Sequence, residues 1–204
     1  MGYENIERDL TFIKSAIEKA TKYDNIPSAA YLIIGLIGLA GSGAAYLMLG
    51  TKRAANLSDL TGSDLFLLAL LWGGVLAAAV LCMAIASLIR ARKRGIAVWN
   101  SLATRMFLSQ IPQVIVAGML TLALGLSGHV EIIPALWLLH YGLITFSFSY
   151  FTGRDHQVKS AVFLLLGALA LFCPSSWAVP MLAAGFGAVH VVFGVYRMLR
   201  ATSK

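Results

Sequence analysis

The chain has 204 residues, 59% of them hydrophobic and 12% charged, with a mean hydropathy of +0.80 and a net charge of +7. This composition excludes an ordinary soluble domain. The basic residues sit at the edges of apolar runs, where topology and contact with anionic headgroups account for them, and no folded basic domain remains to bind nucleic acid.

Residues 1–27 form the first unit, a predicted cytoplasmic amphipathic helix from Tyr3 to Lys22. Ile6, Leu10, Ile13, Ile17 and Ala20 share one helical stripe, with Glu7, Lys14, Glu18 and Lys22 on the other faces. The Ile6, Leu10, Ile13 and Ile17 face is a candidate docking surface for a cytoplasmic protein or a second copy of the chain. The alternative is a helix lying on the membrane surface or folded against the cytoplasmic loops. Four basic and five acidic residues in this unit argue against a strong electrostatic lipid anchor. No short basic leader precedes the first apolar run, so that run is expected to remain as a span.

The second unit, 28–204, contains six apolar runs at 28–49, 64–88, 106–127, 131–151, 159–175 and 177–197. Most match the roughly 20 residues that cross a hydrocarbon core. With Lys159 counted to the flank before the fifth run and Arg197 to the tail, fourteen of the sixteen Lys and Arg fall on one side; Lys52 and Arg53 fall on the other. Cationic flanks are retained in the cytoplasm. The expected fold is therefore an all-α polytopic membrane helix bundle of six transmembrane helices in the cell inner membrane, with both termini cytoplasmic and the lipid bilayer as its first partner.

Pro27 opens the first run in the manner of a proline in a helix's first turn. Runs one and two carry small residues four apart, Gly38 with Ser42, Gly41 with Ala45, Gly73 with Ala77 and Gly74 with Ala78, which let helices approach closely in lipid. Cys82 and Cys173 lie inside apolar runs and imply packed thiols, without a disulfide framework. Arg90, Arg92, Lys93, Arg94 and Arg105 carry most of the topological signal, and Trp99 and Trp177 are expected at opposite headgroup layers. The third run begins on Gln110, Pro112 and Gln113. Pro112 starts or bends the helix, and the two glutamines either satisfy freed backbone groups or line a polar path.

His140 and His190 lie inside the fourth and sixth runs, on helices of the same direction. An ionisable group in a span is costly unless partnered, which makes each a candidate site residue. Imidazole can ligate haem iron or a metal, relay protons, or rest in a single structural hydrogen bond. His129 and His156 read as solvated loop residues. Asp59, Asp64, Glu131 and Asp155 fall at span ends or in loops, so no catalytic constellation assembles. Gly185 and Gly187 read as helix packing, since no strand precedes them. Ile26-Pro27 with Gly35 and Ile133-Pro134 with Gly142 share a spacing, as would two inverted three-helix halves.

Three segments, Glu7 to Lys14, Leu136 to Gly142 and Ala184 to Gly194, resemble a group of small bacterial six-span integral membrane proteins of uncharacterised function. His190 fits that group's pattern, whereas His140 stands where an aliphatic residue is expected. The resemblance implies a role coupled to the cytoplasmic side through a regulator. The leading expectation is a non-enzymatic, partner-binding or regulatory membrane component without a cofactor. One alternative is a small transporter or channel with a polar cavity lined by Gln110, Gln113, Tyr141 and His190. The other is a haem- or metal-binding protein using His190 with His140.

Overall fold

A computed structural model describes residues 8–11, 26–95, 97, 99 and 101–202, without the side chains of 101 and 202. Six helical spans are long and apolar enough to cross a membrane: Ser28–Ala55, Gly62–Arg94, Leu102–Leu126, Val130–Thr152, Arg154–Phe172 and Ser175–Ala201. The protein is an all-helical, multi-pass membrane protein. Of the amphipathic N-terminal segment, residues 8–11 are helical and Leu10 is exposed; Ile6, Ile13 and Ile17 lie outside the described residues.

Helix α1 (Ser28–Ala55) follows Pro27, and α2 (Gly62–Arg94) starts at a capping box in which Thr61 and Asp64 exchange hydrogen bonds. The third span is broken into α3 (Ser101–Leu108) and α4 (Ile111–Leu126), because Pro112 has no N–H to continue the ladder. Helix α5 (Ile133–Thr152) is joined to α6 (Arg154–Phe172) by Gly153 alone, whose φ of 106° turns the chain straight back. The sixth span comprises α7 (Ala178–Leu182), a π-helical turn (Ala183–Val189) and α8 (His190–Thr202). Helix α6 thus begins five residues before the apolar run at 159–175. The polar residues Asp155 to Lys159 belong to the helix and not to a loop.

Two bonds fix which helix ends lie together. Arg200 of α8 meets Asp155 of α6 at 2.8 Å, and Ser175 donates to the carbonyl of Ala55 at 3.2 Å. The core lies in three layers. Ala103 and Met106 pack near the first of these ends with Ile26, Phe148 and Phe151. Leu138, Phe163 and Leu182 fill the centre with Trp72 and Phe186, and Leu49, Leu57, Val130 and Val179 close the far end. Trp99 packs edge-on against Phe107, while Trp177 stands exposed at the opposite end.

Glycines set the closest crossings. A Cβ on Gly35 would stand 2.6 Å from the Val191 nitrogen, and one on Gly194 2.7 Å from the Leu32 nitrogen, so α1 and α8 touch backbone to backbone. The α5–α6 hairpin crosses in the same way, with a Gly167 Cβ falling 2.7 Å from the Leu139 nitrogen. On α2, by contrast, Gly73 and Gly74 face open space. Gly167→Ala is therefore expected to lower stability by about 1–3 kcal/mol through overpacking, whereas Gly73→Ala changes it by a few tenths at most. Thermal unfolding of the two variants in detergent measures the contrast; equal effects would contradict the crossing.

Candidate functional site

The inward stripe of α6 is His156, Lys159, Ser160, Phe163 and Gly167, spaced as one face of a helix and all buried. Its first three members are polar. Lys159 is 4% exposed, His156 2% and Ser160 0%. This overturns the reading of His156 as a solvated loop residue and of Lys159 as a hydrophilic flank. Tertiary cover from α1, α5 and α8 removes both from solvent, although each is only a few residues from the helix start.

The Lys159 ammonium sits in an aromatic cage. Its Nζ lies 4.6 Å from the Tyr31 ring centroid, 5.1 Å from Phe193 and 5.3 Å from Tyr141. Ring faces carry negative charge density, so three of them partly replace the lost hydration. Its one hydrogen bond is donated to the Tyr141 hydroxyl at 3.3 Å. That hydroxyl accepts from the ammonium and shares a 2.7 Å hydrogen bond with Nε2 of His190. The other ring nitrogen of His190, Nδ1, is enclosed and closes no hydrogen bond among the described residues. The Tyr31 hydroxyl shares a 2.8 Å hydrogen bond with His156 Nε2, and the Tyr31 ring stacks on His190 at 6.3 Å.

Backbone features of the sixth span place these groups. The Gly35 and Gly194 crossings bring Tyr31 on α1 against Phe193 and His190 on α8. The π-helical turn ends immediately before His190, and such turns commonly re-aim side chains at functional positions. The cluster is also extended along the membrane normal. Lys159 lies about 7.5 Å along α6 from Arg154, while Tyr141 and His190 lie about 16 and 18 Å from the C-terminal ends of α5 and α8, near half the hydrocarbon thickness. Beyond them stand Phe163, Phe186, Trp72, Leu138 and Leu182, an apolar plug. Past the plug, at the opposite end, a cavity of about 180 Å³ is bordered by Tyr46, Thr51, Ser176 and Pro180.

The cavity expected from Gln110, Gln113, Tyr141 and His190 is divided between two places. Gln110 donates to the Met106 carbonyl at 3.3 Å and to Ser109 at 2.9 Å, and Gln113 donates to Gln110 and to the Ser109 carbonyl. The α3–α4 break consumes both amides, as freed backbone groups in lipid require. His140 turns away from Tyr141 and bonds the Gln113 carbonyl through Nε2. Of the four, Gln113 meets Gln110 and Tyr141 meets His190, as two separate pairs. The two intramembrane histidines therefore have separate partners and do not face a shared ligand, and among the described residues no group of three or more His, Cys, Asp and Glu side chains is arranged to hold a metal.

Charge in the cluster is one-sided. Arg197, half-buried on α8, lies 5.8 Å from the Phe193 ring and adds a second cation, while Asp155 is engaged by Arg200. Among the described residues no carboxylate pairs with Lys159. Tyr141→Phe should strip the ammonium and His190 Nε2 of their hydrogen bonds together. The expected loss is about 1–3 kcal/mol of stability, read by thermal unfolding; a change within a few tenths would show that the hydroxyl holds neither group. No protein-family model, curated protein or solved structure gives a significant match to the chain.

Proposed function

We propose that the protein is a non-enzymatic, proton-coupled small transporter of the cell inner membrane, with both termini cytoplasmic. In this reading the His156, Tyr31, Lys159, Tyr141 and His190 cluster is the cytoplasmic half of its path. The supporting observation is Lys159: a lysine taken out of water inside a span, caged by three rings and without a carboxylate partner among the described residues. A charge so placed is costly, and intramembrane ionisable groups mark substrate and proton pathways. Hydrogen bonds continue from Lys159 through Tyr141 to His190, and the apolar plug beyond separates this buried cluster from the opposite end of the bundle, as in an occluded state of a transporter.

The regulatory, partner-binding alternative rests on a face of which only Leu10 is described. The haem alternative loses the pairing of His140 with His190. The test is proton flux into proteoliposomes loaded with a pH-sensitive dye under an imposed pH gradient. Wild-type protein should carry a flux that Lys159→Met abolishes; equal flux in both, or none in either, overturns the proposal. Reporter fusions before Met1 and after Lys204 should both report the cytoplasm, and an external signal from either would reverse the assignment of the cluster to the cytoplasmic half.

A further inference from the structure

Resting on that reading, we propose that the solute moved with the proton is a small monovalent anion, held at Lys159 between His156, Ser160 and Arg197. Three observations converge. Among the described residues two of the Lys159 ammonium protons have no hydrogen-bond acceptor, and no described carboxylate neutralises it. His156 and Ser160 stand one helical turn apart on the same buried face of α6, on either side of Lys159 in the stripe. Nδ1 of His156 and Oγ of Ser160 are both fully enclosed and without a hydrogen-bond partner. Serines within helices ordinarily bond back to a carbonyl one turn earlier, as Ser42 and Thr121 do here. The Ser160 hydroxyl forgoes that bond. Two unpaired buried polar groups beside an unpaired cation form a set that an anion would complete, since buried polar groups are costly unless hydrogen-bonded.

The chemistry balances without a further reactant. With its proton Lys159 is an ammonium that attracts the anion, and after giving the proton up it is a neutral amine with no charge to hold it. One proton and one anion then cross together and no net charge moves. Around Lys159 stand Tyr31 from α1, Tyr141 from α5 and Phe193 from α8, with His156 from α6 and Arg197 and His190 from α8 close enough to interact with its charge. None of them is acidic. Arg197, half-buried on α8, is placed to attract the anion from the aqueous side.

The experiment replaces gluconate, too large to enter, by chloride, nitrate or acetate at constant ionic strength, and follows thermal unfolding of the purified full chain. Wild-type protein should show a saturable rise in Tm with at least one of the three small anions, larger at low than at high pH. The rise should vanish in Lys159→Met and persist at high pH in Lys159→Arg, whose charge cannot be discharged. An anion effect of equal size in Lys159→Met, or no saturable effect in the wild type, overturns the inference. Proton flux through Lys159 that is indifferent to the anion would remove the anion and leave the proton pathway standing; loss of flux altogether would remove both.

Discussion

Lys159→Met is expected to leave the protein at least as stable as the wild type while ending its proton flux. Replacing buried ionic groups by apolar ones of similar volume is often neutral or stabilising by on the order of 1–4 kcal/mol, and methionine keeps most of the lysine stem against Tyr31 and Phe193. A residue retained only for packing would behave in the opposite way, because its replacement would open the cage and lower Tm without regard to any flux. Parallel measurement of Tm in detergent and of dye response in proteoliposomes separates the two. A clear fall in Tm with flux preserved would make Lys159 a structural residue. Lys159→Glu is a harsher companion variant. It reverses the charge beside two tyrosine hydroxyls and should convert the anion preference into repulsion, while bringing a new carboxylate close to Arg197.

Gly35→Leu should be among the most damaging single changes to the fold. Two of the three atoms nearest to a side chain at this position are backbone, the Val191 nitrogen at 2.6 Å and the Gly187 oxygen at 2.8 Å, and backbone cannot rotate aside. Overpacking costs typically 1–3 kcal/mol, occasionally more, and here it also pushes α1 away from the π-helical turn and α8. Tyr31, four residues earlier on α1, would leave the cage together with the His156 hydrogen bond. The expected result is a large fall in Tm with loss of flux. Gly73→Leu, pointing into open space on α2, should preserve both. If Gly35→Leu unfolds no more readily than Gly73→Leu, the α1–α8 crossing is misplaced.

The spans were readable because apolar length is a property of each segment by itself. The site was readable only in part. His190 stood out because it interrupts an apolar run, and Tyr141 was carried along as a neighbour of His140. His156 and Lys159 were hidden because they lie where hydropathy falls, and a falling average cannot distinguish a solvated flank from a buried polar stripe. The helical spacing of His156, Lys159 and Ser160 with Phe163 and Gly167 was the available signal, since it continues an inward face past the hydropathic boundary. Tyr31 carried no local signal: its partner His156 is 125 positions away, and the glycine crossing that joins them appears only when α1 meets α8. Gln110 and Gln113 had two readings, backbone repair or path, and Pro112 decides between them by breaking the helix beside them.

The single-residue link at Gly153 bears on how the chain is made. Helix α6 is the least apolar of the six spans and begins with Arg154, Asp155 and Lys159, so it is a poor candidate for leaving the translocon on its own. Helix α5 precedes it with no spacer and turns directly back on it, so the two can partition as one hairpin, the apolar arm carrying the polar one into lipid. A ribosome-bound intermediate truncated within α6 would then be expected to hold α5 at the translocon until the second arm has been synthesised.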